Sequence, residues 1–231
     1  IDIQTNLNVR CPHGSARTEV MDFVETSAGI LLAHQAIESV ARCPLTVREH
    51  EQLAQRTHPR VQAEFIVGRS LAKHLAVRFF GGALADWQVI QLSSGAPQLQ
   101  TLNGVAHGAI SISHSRERIA VMLGSKSKCV GLDVERLRER REPRELLKLI
   151  CQKNELAWYD ALPTLTRFYQ LWTAKEAIAK VHQSSLWDSH QAHAAIHIQN
   201  KLWTTSSGLQ IHHFHHTSSQ HIGAWTIETL T

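Results

Sequence analysis

Two long stretches with apolar residues at spacings of three and four constrain this chain more than anything else in its sequence. The first runs over 61–80 and carries Val61, Phe65, Leu71, Ala72, Leu75 and Phe79 on one stripe. The second, 163–181, follows a Pro163-Thr164 start signal. Spacing of this kind is that of an amphipathic helix. Each helix has segments of strand character around it: 86–92, 109–113 and 118–123 for the first, and 129–134, 196–204, 209–216 and 221–229 for the second. A helix stripe and a strand face must each bury against a partner, so each half can build its own layered core. The polar break Gly124-Ser125-Lys126-Ser127-Lys128 separates them. The expectation is an α+β protein of two similar subdomains, 1–124 and 125–231. No sequence repeat joins the halves; the likeness is one of layout.

Smaller signals punctuate the halves. Thr46 with Glu49 three residues on has the form of a capping box before a short helix. Gly81-Gly82 ends the long first helix, Ser93 to Pro97 reads as a turn, and His114 to Glu117 as a polar loop between two strands. Shorter helices are expected from Arg144 to Ile150 and from about Gln152 or Lys153.

The chain has 231 residues, 43% of them hydrophobic and 19% charged, which suits a packed interior rather than disorder. No apolar run approaches the roughly 18 residues of a membrane span. The first 25 residues lack the basic-then-apolar layout of a signal peptide, so a cytoplasmic protein is expected. Cys11, Cys43, Cys129 and Cys151 form no C-x-x-C pair, and reduced thiols are expected. The net charge of +4 suits anionic partners without choosing among them.

Three segments carry chemistry. In Gly131-Leu132-Asp133-Val134-Glu135, strand alternation turns Asp133 and Glu135 to one face and Leu132 and Val134 to the other. Two adjacent carboxylates repel unless a cation lies between them, and a hard ion such as magnesium suits oxygen ligands. An edge strand with two solvated acids is the plainer alternative. In Trp172-Thr173-Ala174-Lys175-Glu176-Ala177-Ile178-Ala179-Lys180, helical spacing sets Trp172, Glu176 and Lys180 on one stripe, with Lys175 about 100° round. Glu176 is then a third candidate carboxylate, and Lys175 and Lys180 are candidate phosphate holders, unless the segment is a surface salt-bridge helix. In Ser111-Ile112-Ser113-His114-Ser115, hydroxyls and a protonated imidazole suit phosphate oxygens; a hairpin satisfying its own backbone is equally consistent.

In this order, S-x-S-H-S, G-x-D-x-E and W-x-x-K-E-A-x-x-K, the chain resembles the Sfp-type phosphopantetheinyl transferases over roughly residues 60–181. The resemblance implies two α+β halves in a pseudo-twofold arrangement, with coenzyme A in a cleft between them. It implies magnesium on Asp133, Glu135 and Glu176, and transfer of the 4′-phosphopantetheine arm of coenzyme A to a serine of an apo acyl or peptidyl carrier protein, releasing 3′,5′-ADP. Glu176 or a metal-bound water is then the first candidate to take the serine proton and Glu155 the second. Ser113, His114, Lys175 and Lys180 would contact coenzyme A phosphates, and Arg69, in Gly68-Arg69-Ser70-Leu71-Ala72-Lys73, the adenosine end. A monomer with neither nucleic acid nor membrane as partner is implied.

Two positions depart from the family pattern. Ala96 stands where many relatives have lysine, and Ala63 and Glu64 where a basic residue is common, which leaves recognition of the 3′-phosphate open. Rival readings are another magnesium phosphotransferase or nuclease, weakened by the lack of a Walker-type loop, and a non-catalytic relative that binds coenzyme A or a carrier. The charged run Arg136 to Glu142 reads as a solvated face or as a docking surface for an acidic carrier. His212-His213-Phe214-His215-His216 reads as a strand with an exposed histidine face, and His190, His193 and His197 as a less favoured metal triad. The sequence does not say which carrier is served.

Overall fold

The computed structural model describes residues 22–26, 30–183, 196–199 and 202–229. The chain divides into two compact units, one of residues 1–112 and 117–126, the other of 113–116 and 127–231. The tip of the hairpin at 113–116 therefore groups with the second unit.

In the first unit, strands β1 (Asp22–Thr26) and β2 (Ile30–Ala36) pair antiparallel and lead to two helices, α1 (Val47–Ala54) and α2 (Pro59–Phe80). Thr46 caps α1 as its sequence foretells: its hydroxyl accepts from Glu49 N, and Glu49 accepts from Thr46 N. Pro59 opens α2, where its missing N–H costs nothing. Gly81, with φ of 84°, ends it, in a backbone region that side chains other than glycine's resist. Strands β3 (Trp87–Gln91) and β4 (Pro97–Thr101) form a separate hairpin. Strands β5 (Ala109–Ser115) and β6 (Arg118–Gly124) complete a sheet ordered β1-β2-β6-β5. Leu71, Leu75 and Ala76 of α2 bury against Val89, Leu99, Ile119, Val121 and Leu123. Burial of leucine- or valine-sized side chains is worth about 1.5–3 kcal/mol each. The sequence pattern does not foretell β1 and β4, and β5 runs on through His114 and Ser115, which corrects the expected loop there.

The second unit repeats the layout. Strand β7 (Lys128–Arg136) leads to α3 (Pro143–Lys148), α4 (Lys153–Asp160) and α5 (Leu165–Val181). Strands β8 (Ile196–Gln199), β9 (Leu202–Thr205), β10 (Gln210–His216) and β11 (His221–Thr229) come after α5. The antiparallel sheet is ordered β7-β11-β10-β9-β8. Among the described residues the tail thus holds four strands, and the stretch expected at 196–204 divides into the antiparallel pair β8 and β9. Phe168, Leu171, Ala174, Ala177 and Ile178 of α5 pack on Trp203, Ile211, Ile222 and Ala224. β10 does hold the histidines, but unevenly. His212 stacks on Trp225 at 4.1 Å, while His213 lies against Trp203 and meets Gln170 O at 3.0 Å. Burial presses the His213 imidazole down to about 4, so it is neutral at ordinary pH. His190 and His193 of the expected triad lie outside the described residues. Cys43, Cys129 and Cys151 are free thiols. No helix among the described residues is long and apolar enough to cross a membrane.

Candidate active site

The centre of the site is β7, paired throughout with β11, so that Asp133 sits opposite Ala224 and Glu135 opposite Ile222. Leu132 and Val134 are buried, as alternation demands. Gly131 is there for the helix rather than a ligand. A Cβ built on it would stand 1.9 Å from Ala177 O, so the backbone of α5 lies directly on the strand.

The S-x-S and D-x-E segments share a period of two, and the structure aligns them. Ser113 Oγ donates to Asp133 Oδ1 at 2.8 Å and accepts from Val134 N at 3.2 Å. Ser115 Oγ donates to Glu135 Oε2 at 2.9 Å and accepts from Arg136 N at 3.1 Å. Each serine ties one acid to the backbone of the residue after it. His221 Nε2 lies 3.0 Å from Ser115 O and so ties the hairpin tip to β11. Ser113 thus faces an acid where the sequence suggests a phosphate, and Ser115, which the sequence does not single out, does the same. The equal spacing of the two motifs is the signal that couples them. His114, pointing the other way on β5, is exposed.

From α5, Lys180 Nζ reaches Asp133 Oδ1 and Leu132 O, both at 2.9 Å. Asp133 Oδ2 is buried and has no hydrogen-bond partner among the described residues. Burial first, and then the charge of Asp133, push the Glu176 carboxyl above its ordinary range; Lys180 opposes this and Glu135 adds to it. Glu135 is raised for the same two leading reasons, against Ser115, Arg140 and Arg138. The three acids therefore feel one another. Among the described residues, no group of three or more His, Cys, Asp or Glu side chains is placed to hold a metal ion, and Lys180 stands against Asp133. A half-buried group of three carboxylates with one orphaned oxygen is nevertheless hard-donor chemistry, and its mutual repulsion is what a divalent cation relieves.

Glu155 and Lys175 have a different setting. Their side chains are 0% and 1% exposed and form an ion pair at 2.8 Å. Glu155 also accepts from Gln152 N and Ile196 N, both at 2.6 Å. Arg69 belongs to the first unit. Its guanidinium lies 3.5 Å over the Phe65 ring, and its Nε is buried without a hydrogen-bond partner among the described residues. Burial, and then the charge of Arg56, bring it down to about 10. Glu64, where the family pattern has a basic residue, is ion-paired to Arg60 at 2.8 Å.

The model of the 4′-phosphopantetheinyl transferase superfamily matches residues 129–228, from β7 to β11. Over 79 residues, 33% of this chain, the sequence is 37% identical to 4′-phosphopantetheinyl transferase AcpT of Escherichia coli K12, covering 40% of that protein. It is 35% identical over 79 residues to the protein of the same name from Salmonella typhimurium, covering 41% of it. The chain thus spans about 40% of the length of the curated relatives it matches.

Proposed function

We propose, from the match of residues 129–228 to the model of the 4′-phosphopantetheinyl transferase superfamily, that this chain moves the 4′-phosphopantetheine arm of coenzyme A to a serine of an apo carrier protein. What supports the reading is that strand acids Asp133 and Glu135 and helix acid Glu176 all lie inside the matched region, with both glutamates raised first by burial and then by the charge of Asp133.

Asp133, Glu135 and Glu176 would hold magnesium, and Asp133 Oδ2 is the oxygen with no other partner among the described residues. When bound, the ion would neutralise and orient the pyrophosphate of coenzyme A. In the transfer, the carrier serine oxygen forms a bond to the phosphorus that bears pantetheine. The bond from that phosphorus to the bridging oxygen breaks, and 3′,5′-ADP leaves. Glu176, or a water held on the ion, would take the serine proton. Lys180, with 31% of its side chain exposed, can turn its ammonium from Asp133 to a phosphate oxygen. Ser113 and Ser115 keep the strand acids aimed, and exposed His114 is a candidate for an outer phosphate. Glu155 and Lys175 drop out of the chemistry, since each is buried and held by the other. Arg69 remains a candidate for the adenosine end, as a buried cation whose Nε has a bond still to make.

The experiment is incubation of the protein with coenzyme A, magnesium and a panel of fatty-acid, polyketide and peptide-synthetase apo carriers, read by intact mass. Gain of one phosphopantetheine on at least one carrier is expected, with none in chelator. No gain on any carrier, or equal gain in chelator, defeats the reading.

A further inference from the structure

Each unit contains the same buried device. In the first, Glu49 is the third residue of α1. It accepts from the cap residue, Thr46 N, at 2.8 Å and from Val89 N, on the first strand after α2, at 2.8 Å. In the second, Glu155 is the third residue of α4. It accepts from the cap residue, Gln152 N, at 2.6 Å and from Ile196 N, on β8, the first described strand after α5, at 2.6 Å. Each glutamate then takes a lysine from the long helix: Lys73 at 2.6 Å and Lys175 at 2.8 Å. All four side chains are no more than 1% exposed. One glutamate thus ties a short helix, a strand and a long helix together at a single point. The two devices differ at the lysine, since Lys73 Nζ also donates to Pro44 O at 2.9 Å whereas Lys175 Nζ has its ion pair but no hydrogen-bond partner among the described residues, and in the residue next to it. After Lys73 comes His74; after Lys175 comes Glu176.

We propose that Glu155 and Lys175 are positioning residues for the transfer: their ion pair sets the rotation of α5, and so the aim of Glu176 at Asp133. This rests on the assignment of Glu176 made above. Successive helix residues are about 100° apart round the axis, so an anchor on Lys175 fixes the direction of Glu176. The strand side has no slack either, because Ala177 O occupies the space over Gly131. Glu155 has both carboxylate oxygens engaged by backbone N–H groups and so is not free to act as a base. Lys175 has no route to a phosphate from its buried place. The Glu49–Lys73 pair holds α2 in the same manner with no acid to aim, which makes it an internal control.

The test compares full-length wild type, E155Q/K175M and E49Q/K73M. Manganese affinity is read by electron paramagnetic resonance of the free ion, and kcat and KM for coenzyme A with an apo carrier. Both variants should melt below wild type. E155Q/K175M should bind manganese about tenfold or more weakly and lose kcat by a similar factor with KM for coenzyme A little changed, the scale of a lost support to a metal ligand. E49Q/K73M should keep manganese affinity and kcat. K175R, which retains the charge, should recover most of the manganese affinity. Should E155Q/K175M not fold, E155Q and K175R take its place in the comparison. Equal manganese affinity and kcat in the two double variants would overturn the proposal. So would E155Q losing the acidic limb of the kcat–pH profile at unchanged manganese affinity, because Glu155 would then be a base. A wild type that transfers to no carrier sinks the transferase reading alone, and the manganese comparison still decides the aim of Glu176. A wild type that binds no manganese overturns both.

Discussion

Glu176 is asked to ionise where burial and a second carboxylate oppose it. Its value in the unfolded chain is ordinary, near ~4.3, and its folded value is higher. The stabilising contribution of such a group is complete below the unfolded value and is lost as pH rises through the folded one. Glu135 behaves in the same sense. In metal-free protein the two should therefore cost stability as pH climbs out of the acid range. E176Q removes one of the charges, so its urea midpoint should gain on wild type as pH rises through that window; a constant difference would mean that Glu176 does not titrate against Asp133. Magnesium should reverse the order. At a hundredfold excess over Kd, a ligand that binds only the folded state adds about 2.7 kcal/mol. Wild type at neutral pH should gain on that scale and E176Q little. E176Q should also lose transfer by about a hundredfold or more, as expected for a removed general base, with its fold retained by circular dichroism.

At the scale of elements, the site depends on how β5, β7 and α5 are fixed to one another. Ser113 and Ser115 each satisfy one carboxylate oxygen and one backbone N–H. S113A leaves both without the hydroxyl and should cost about 1–3 kcal/mol by denaturant unfolding, the penalty of an unsatisfied buried group. A cost near zero would show that water replaces the hydroxyl. G131A meets the α5 backbone itself, which cannot turn aside like a side chain. It should cost about 3 kcal/mol or more, at the upper end of overpacking, and loss of soluble protein is the extreme form of the same result. Much of this level is legible in the sequence. The α1 cap, the start of α2 at Pro59 and the α5 boundary obey local rules that tertiary contacts do not override. The acid pair is legible because strand period alone fixes its face. The serine ladder is not, because each segment read singly says nothing of a partner in another strand. The buried role of Lys175 is hidden for a related reason: a lysine one position from a stripe reads as a phosphate holder or a surface ion pair until a glutamate from another helix is seen to meet it.

For the molecule as a whole, the expectation of two units is legible in the alternation of helix and strand patterns. The transfer of 113–116 to the second unit is not, since a break in composition says nothing about which core a hairpin tip joins. Charge also belongs to this scale. The net charge is +4, and the run Arg136 to Glu142 holds four arginines with exposed Glu139 and Glu142 among them, a net +2. Arg136, Arg138 and Arg141 are exposed, while Arg140 donates to Tyr169 OH at 2.9 Å. Exposed charges of one sign steer an oppositely charged partner and mainly change its rate of arrival. If the carrier is acidic, this run is where it is drawn in. Arg141 separates steering from tuning of the site, because Arg138 and Arg140 act on Glu135 and Arg141 is not among the charges that do. R141E should thus raise KM for the carrier several-fold, leave kcat and KM for coenzyme A alone, and flatten the fall of kcat/KM with salt. Screening explains the last point: the Debye length is about 10 Å at 0.1 M and about 3 Å at 1 M, so a field that R141E has already weakened has less to lose. A change in kcat at constant carrier KM would instead put Arg141 in contact with the reacting groups and remove the run from any steering role.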